Sequence, residues 1–471
     1  MIKYPPDKEK ARVNGYELYE KVFLGDHAEA FNIKTQGQFK KELEQLRYVA
    51  VNFGGMISKL SADMLFEEFP RISAGENDEF VHAMIDKNQL ATQFYESALE
   101  NSFRGDAFFK IRAKDGQVII EDINPSICFP EYDEWNVRKE PTAHVLAWKV
   151  SLGQTDKGKN KYGVFKERHL KGTIEHKLYE LEDDGSLGAE LRLSEYAGME
   201  NMKPEEKTLI DDFLIIHIPN YRINSMYFGI SDYKDLMQLM YAINNRITKV
   251  DNILDKHGDP ILAVPEGVLD EEGKVSRKSF GIIEVPTSES AGAKPEYIVW
   301  DAKLESAFGE IDKLIEFLLI TSETSPASLG LDKEGQAESG RALKYKLLRT
   351  IAKKHRKELY FDWGIKKLLM VAQEFAFKNK LKAGDVASKK PEKVEIEWKD
   401  GIINDTKEML ENEQMKLDNG LTTTKEAIQR IEDIDEKTAD EKVKLIKAEQ
   451  KENEPKFNAD PFGGKANQDQ E

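Results

Sequence analysis

The sequence predicts an α+β protein that is mainly helical, and three observations carry that expectation. Apolar residues recur at three- and four-residue spacing over long proline-free stretches, above all over 339–379. Between 107 and 218 the period switches to two, the alternation of half-buried strands. The composition, 40% hydrophobic and 33% charged, suits cores wrapped in charged helix faces.

Length and charge bound the function classes. A chain of 471 residues implies two to four modules. A net charge of −17 argues against a general nucleic-acid coat, which needs excess Lys and Arg to neutralise phosphates, but leaves room for a local basic patch. Cys128 is the single cysteine, which excludes intramolecular disulfides and fits cytoplasmic synthesis. The start, Met1-Ile2-Lys3-Tyr4-Pro5-Pro6, lacks an apolar signal core, and no run reaches the ~18 apolar residues of a membrane span. The expectation is a protein neither secreted by a standard signal nor embedded in a membrane.

In chain order, helices are expected over 8–24, 36–67 and 90–103, the second on a stripe of Leu43, Leu46, Val49, Ala50, Phe53, Met56, Ile57 and Leu60. Residues 107–112 and 118–123 read as a hairpin turned at Asp115-Gly116. Further strands are expected over 144–150, 162–169, 173–181, 191–193 and 213–218. A long helix then runs from about Ser231 to Lys256 and stops at His257-Gly258-Asp259-Pro260. Residues 261–300 form a small β-rich insertion, and 304–321 return as a helix burying Ile311, Leu314, Ile315, Leu318 and Leu319. Residues 324–340 are a long aperiodic loop, of the kind that is functional or mobile.

The stretch 339–379 reads as one helix, roughly 60 Å long at 1.5 Å per residue. Its apolar face runs through Leu343, Leu347, Ile351, Leu359, Trp363, Leu368, Leu369, Ala372, Phe375 and Ala376. Lys353, Lys354, His355, Arg356 and Lys357 put charge on every side, so this turn is expected to face water or an acidic partner. Beyond it, 394–398 alternates as a strand, and three short helices open at Asp405/Glu408, Thr423/Glu426 and Thr438/Glu441, each spaced as a capping box. From Asn453 onward there is little to bury, which predicts disorder.

No constellation carries chemistry. There is no GxxxxGK[ST] loop, GxSxG elbow, HExxH or paired CxxC, so no catalytic residue, metal site or cofactor is expected. Asp251, Asp255, His257 and Asp259 could be drawn as a metal site, but they read better as polar residues at a helix end. His144, His169 and His176 lie in strands and read as satisfied structural histidines.

The module order resembles the portal proteins of tailed double-stranded DNA bacteriophages, siphophage type, across nearly the whole chain. The residues that carry the resemblance are Gly105-Asp106-Ala107-Phe108-Phe109-Lys110, Asn124-Pro125, Pro219-Asn220, Phe228-Gly229-Ile230-Ser231-Asp232 and Ser339-Gly340-Arg341-Ala342-Leu343-Lys344. Trp398 through Asp405 and Asn419 through Thr423 add to it, whereas the Ser/Gly-rich 286–294 departs from it. The resemblance implies a wing (1–230), a stem helix (231–257), a clip (258–302), a second stem helix (303–323), a tunnel loop (324–339), a long wing helix (340–384), a crown (385–452) and a disordered tail (453–471).

It further implies a homo-oligomeric ring of twelve subunits at one capsid vertex, with cyclic symmetry closing the interfaces. Double-stranded DNA would pass through its channel, during packaging and ejection. The implied partners are the terminase large subunit, scaffolding and major capsid proteins and a head-completion adaptor. The implied place is the virion, reached by assembly in the host cytoplasm, with no cofactor and no membrane. Lys333, Glu334, Gln336, Glu338 and Arg341 would belong to the tunnel loop, and Asp251, Asp255, Glu310 and Lys313 to the channel-lining stem. Asp232, Asp235, Glu305, Asp312 and Glu316 would add rings of charge, acids repelling phosphate and bases touching it briefly. Glu271, Glu272, Lys274, Arg277 and Lys278 would lie on the clip that meets motor and adaptor. Two other classes fit the composition: another phage ring protein of tail or baseplate, and a nuclease holding metal on Asp251, Asp255 and Asp259.

Overall fold

The structure, a computed structural model, describes residues 3–33, 48–133, 135, 140–154, 158–196, 198–257, 261–265, 282–285, 296–298, 304–331, 340–399, 406–432, 434 and 436–453. Two units emerge, one of 1–335 with 346–401 and one of 336–345 with 402–471.

In the larger unit, α1 (Lys10–Leu24) and the single turn α2 (His27–Ala30) precede α3 (Phe53–Phe66). The helix expected over 36–67 is therefore shorter. Residues 34–47 lie outside the described residues, and 48–52 are not helical. The backbone there is taken by side chains of a later helix: Val49 N–H donates to Thr248 Oγ1 (3.1 Å) and Val51 N–H to Asn244 Oδ1 (2.9 Å). Asn52 then caps α3 by accepting the Gly55 N–H at 2.8 Å. The short strand β1 (Arg71–Ser73) leads to α4 (Asp78–Lys87), which the periodicity reading passed over, and to α5 (Leu90–Arg104).

Strands β2 (Asp106–Lys114) and β3 (Gln117–Ile123) form the expected hairpin. Its turn residues Asp115 and Gly116 sit at φ 51° and 74°, the left-handed pair that suits a two-residue turn. A second sheet follows in the order β4 (Cys128–Tyr132), β5 (Pro141–Gln154), β6 (Asn160–Leu170), β7 (Thr173–Leu181) and β8 (Leu187–Leu191), with β9 (Glu205–Lys207) pairing β7. The strand expected at 191–193 lies earlier, as β8. Strand β10 (Ile215–Pro219) returns to the first sheet as the edge neighbour of β2.

Helix α6 (Met237–His257) starts six residues later than the sequence suggests. Strands β11 (Ile261–Pro265), β12 (Ile282–Val285) and β13 (Glu296–Ile298) form one small sheet in the order β12-β11-β13. Helix α7 (Leu304–Thr321) has the expected bounds and packs back on α6. It buries Ile311, Leu318 and Leu319, while Leu314 and Ile315 are half-buried. The stretch expected as one helix over 339–379 divides at Leu347 into α8 (Gly340–Lys346) and α9 (Leu348–Asn379). Strands β14 (Lys382–Ala383) and β15 (Val386–Ala387) complete the first sheet, in the order β10-β2-β3-β14-β15, and β16 (Glu395–Glu397) pairs β1.

The main core joins α3, α4, α5, β2, β3 and β10 to one face of α9, through Phe66, Phe80, Phe94, Phe109, Phe361 and Leu368 among others. A second core gathers Val22, Phe53, Ile57, Phe103, Tyr233, Met240, Ile243 and Leu318, so that α6 and α7 are held at one end against α1, α3 and α5. Leu359 and Trp363, expected on the apolar face of the long helix, are instead 73% and 60% exposed, because α9 buries its opposite side.

The smaller unit contains α8 with α10 (Thr406–Asp418), α11 (Thr424–Glu432) and α12 (Glu436–Asn453). Arg430 Nη2 grips Glu413 Oε2 at 2.8 Å, tying α11 to α10. The Thr423 capping box forms, with Thr423 N–H on Glu426 Oε2 (3.1 Å) and Glu426 N–H on Thr423 Oγ1 (3.2 Å). Thr438 is no cap, since α12 is already running from Glu436, and Asp405 and the tail from 454 lie outside the described residues.

Two glycines test this packing. A Cβ at Gly364 in α9 would stand 2.5 Å from Cδ1 and Cγ1 of Ile218, whereas one at Gly309 in α7 would meet nothing within 4 Å. Gly364→Leu is expected to lower stability by about 1–3 kcal/mol through overpacking. Gly309→Ala is expected to raise it by about 0.5–1 kcal/mol through chain entropy. Urea unfolding monitored by far-UV dichroism checks both signs.

Candidate functional site

Four sequence stretches meet where α5, β10, α6 and α9 converge. Gly105 closes α5 at φ +94°, and its carbonyl accepts the Asn220 N–H at 2.8 Å. Gly229 lies against the same carbonyl so closely that a Cβ there would be 2.0 Å from it. A Cβ on Gly105 would in turn meet the Ser231 nitrogen at 2.8 Å. No side chain fits between these two backbones, which is the physical need for glycine at each.

Asp106 is wholly buried beside this crossing and collects three donors: Tyr16 O–H (2.5 Å), His217 Nε2 (2.7 Å) and the Gly229 N–H (2.8 Å). Burial, opposed by Asp106, holds the His217 pKa below its ordinary value. Arg104 is equally buried, bridging Glu100 (2.7 Å) and Glu20 (3.0 Å). His144, His169 and His176 are buried as well, consistent with structural histidines.

The centre of the junction is Asp232, whose side chain is 4% exposed. Its Oδ2 lies 3.0 Å from Lys357 Nζ and 3.3 Å from Lys353 Nζ and accepts the Ser102 hydroxyl at 2.7 Å. Its Oδ1 accepts Asn220 Nδ2 at 2.9 Å, and the Asn220 Oδ1 accepts from Lys357. Desolvation alone would raise the carboxyl pKa, but the two ammonium groups and these hydrogen bonds hold it well below the ordinary range. Lys357 is pushed down to about 8 by its own burial, against the pull of Asp232.

This corrects the expectation that the basic turn faces water. Lys353, Lys354 and Lys357 are buried, and the acidic partner is Asp232 of the same chain. Lys354 is satisfied by Glu358 (3.0 Å) and the Lys399 carbonyl. His355 and Arg356 remain toward solvent. Asp232 is corrected with them, since a buried, twice-paired carboxylate cannot line a channel. The signal was present as lysines four apart in a helix with an apolar face, together with the Pro219-Asn220 and Ser231-Asp232 pairs.

The same helix grips the end of α7. Lys353 Nζ donates to the Ser322 carbonyl (3.1 Å), and the Ser325 N–H donates to Thr350 Oγ1 (2.8 Å). Glu323, at φ 58°, pairs with Arg356 and with Arg349 (3.3 Å). The base of the expected loop is thus anchored, and Pro326–Leu329 form a 3-10 turn.

Of the stem residues named from sequence, Asp255 is exposed, Glu310 pairs with Arg246 across α6 and α7 (2.8 Å), and Lys313 pairs with Glu316 (2.5 Å). Asp251 is half-buried, with Oδ2 buried and lacking a hydrogen bond. Lys333, Glu334, Gln336 and Glu338 lie outside the described residues, as do Glu271, Glu272, Lys274, Arg277 and Lys278; Arg341 falls in α8, with no side-chain description. Asp259, needed for the nuclease drawing, is also outside them. Among the described residues no cluster of three or more His, Cys, Asp or Glu could hold a metal.

The fold is a body of sheet and helix in which a helix–sheet–helix segment, α6 to α7, is rooted at a buried ionic cluster. The chain matches the family described as phage portal protein, SPP1 Gp6-like, over residues 3–456, and it belongs to that family. Its function is therefore that of a phage portal protein. Among solved structures it is similar to the neck of an empty gene transfer agent particle computed with C6 symmetry (11% identity, TM-score 0.43) and to the virion of a native gene transfer agent particle (10%, 0.41). Each comparison covers 82% of this chain and 91% of the other. No curated protein matches.

Removing the Asp232 charge tests the ionic base. Asp232→Asn leaves two buried ammonium groups facing a neutral amide and is expected to cost about 3–5 kcal/mol. Because the folded carboxyl titrates below its unfolded value, its contribution is complete above about pH 4 and is lost as acid protonates it. Urea midpoints between pH 7 and pH 2 should therefore fall less steeply for Asp232→Asn than for the native chain.

Proposed function

We propose that this portal protein assembles as a closed ring of twelve subunits at one capsid vertex and conducts double-stranded DNA through its axis in packaging and ejection. The observation that supports this reading best is the α6–β11–β13–α7 arm, rooted in the ionic base at Asp232 and Lys353/Lys357. In this reading 1–230 is the wing, 231–257 and 303–323 the stem, 258–302 the clip, 324–339 the tunnel loop, 340–384 the long helix and 385–452 the crown. The ring hydrolyses nothing itself. Translocation energy comes from an ATP-driven terminase docked at the clip through Glu271, Glu272, Lys274, Arg277 and Lys278, and the adaptor takes that place later. Scaffolding and capsid proteins surround the wing during assembly in the host cytoplasm. The described residues contain no helix long and apolar enough to cross a membrane.

On the channel wall, Asp255 offers an exposed acid repeated around the ring, whereas the Glu310–Arg246 and Lys313–Glu316 pairs present nearly neutral rings. Weak net attraction for phosphate lets DNA slide. Lys333, Glu334, Gln336, Glu338 and Arg341 form the narrowest point.

Two variants test the assignments in a packaging assay. Deleting 265–296 should leave soluble rings that fail to package; packaging that survives the deletion would remove the clip assignment. Lys333→Glu adds one acid per subunit at the constriction and should change packaging velocity or DNA retention with assembly intact. Lys380→Glu, at the far end of α9, is the charge control. Equal behaviour of the two substitutions and the native chain would contradict the tunnel-loop role.

A further inference from the structure

The two large sheets meet across a layer that is rich in titratable groups. On one face the first sheet sends Phe109, Ile111, Ile216 and Ile218 into the main apolar core. Its other face carries Phe108 and Lys110 on β2 with Ile215 and His217 on β10, and this face meets the second sheet. There β5 and β6 set His144 directly opposite His169, and β6 and β7 set Glu167 opposite His176. All five of these polar residues, His217 included, are buried. Half of the chain's eight histidines therefore lie in one layer between two sheets.

Little in this layer welcomes a second proton on an imidazole. His217 lies between the rings of Phe108 (4.3 Å) and Tyr227 (4.5 Å), and Arg12 and Arg222 oppose the pull of Asp106 on it. His144 meets the edge of Phe213 (4.9 Å), with the Tyr227 hydroxyl 3.5 Å from its Nδ1. His169 reaches Glu167 at 3.3 Å, but Lys110 already holds that carboxylate at 2.5 Å, and His169 Nδ1 is buried without a hydrogen bond. His176 Nδ1 donates to the Lys203 carbonyl at 2.8 Å. Burial pushes His144 down to about 3 and holds His169 and His217 below the ordinary imidazole value. Cavities of about 590 and 480 Å³ flank the layer, the first lined by His144 and His217, the second by Lys110, Glu167 and His176. Glu140 and Asp212 face Lys171, Arg222 and Lys367 around the first, and Glu200 and Glu206 face Arg112 and Lys203 around the second, so neither offers a surplus of acid.

We propose that this layer is an acid-operated latch: protonation of His144, His169 and His217 parts the second sheet from the first while the helix-backed core stays closed. In the closed state these imidazoles are neutral, and in the parted state they titrate near the ordinary value of about 6.5. Protons therefore bind the parted state, and closure weakens as the pH falls from about 6.5 toward the lowered values. One imidazole that titrates only when parted favours parting by about 30-fold at pH 5 and hardly at all at pH 7. Glu167 stays ionised through this window, since His169 and Lys110, against its burial, hold it down at about 2. The apolar part of the layer is small, with Phe108, Cys128, Leu146, Ile215 and Tyr227 at its centre, so it gives way before the main core does.

Cys128, the single cysteine, is buried in this layer and reports its parting directly. The test measures how fast 4,4′-dithiodipyridine, a disulfide that reacts with thiols in mild acid, labels Cys128 in the full chain. Each rate is divided by that of the urea-unfolded chain at the same pH, which removes the titration of the thiol itself. The expected result is a rise of at least about tenfold from pH 7 to pH 5, with far-UV dichroism unchanged. The double variant His144→Phe, His169→Gln should cut that rise at least about fivefold. His27→Gln, a buried histidine on α2 outside the layer, should leave it as it is. A rate ratio that is flat between pH 7 and pH 5 overturns the latch. So does a rise accompanied by loss of helix dichroism, which is general unfolding, or a rise that the double variant keeps in full. Should the double variant fail to fold at pH 7, His169→Gln alone is held to the same direction: a rise no smaller than the native one overturns the latch.

Discussion

A carboxylate with two ammonium groups, taken out of water together, is the constraint on which the rest of this structure depends. Asp232 sits in the short stretch before α6, and Lys353 and Lys357 sit a turn apart on α9. None of the three could be buried alone, because an isolated charge in a low-dielectric interior is strongly disfavoured. Their mutual pairing, completed by Ser102 and Asn220, ties the end of α5, the end of β10, the start of α6 and the first half of α9 into one body. Such a cluster specifies geometry more than it adds stability, since an apolar replacement of equal shape would serve stability as well. Here the elements it joins are the approach to α6 and the first half of α9.

The glycine crossing at Gly105 and Gly229 and the Asp106 cluster repeat the theme beside it. Each brings backbone or polar groups into an approach that tolerates little variation. The end of α7 is fixed by the same helix, through Thr350, Lys353 and Arg356. The arm is thus clamped at both of its roots by α9. In the ring proposed above, such a base would hold the α6–α7 pair in place.

Much of the fold was legible because it rests on local chemistry. The Asp115-Gly116 turn, the bounds of α7 and the Thr423/Glu426 capping box each follow from a handful of neighbouring residues. The buried lysines were not legible in the same way. Periodicity assigns Lys to water, and the acid that overturns this lies far away in sequence, on another element. Leu359 and Trp363 failed in the opposite sense: an apolar spacing reads as core, and nothing local says which side of α9 the sheet will cover. The helix expected from 36 stops short at Asn52 because side chains of α6, about two hundred residues on, take the backbone donors of Val49 and Val51. Of the candidate site, the portal signature residues around 105, 219 and 228–232 converge on one junction, whereas the named channel residues of the stem are spread along two helices, Asp251 turned partly inward and Glu310 and Lys313 already paired.

Negative-stain electron microscopy of the purified full-length chain tests the central claim most directly. The account predicts closed rings with an open central hole, the body on the outside and an arm projecting along the axis. Isolated monomers in every field, at concentrations well above those used for assembly of ring proteins and with light scattering in agreement, would contradict it.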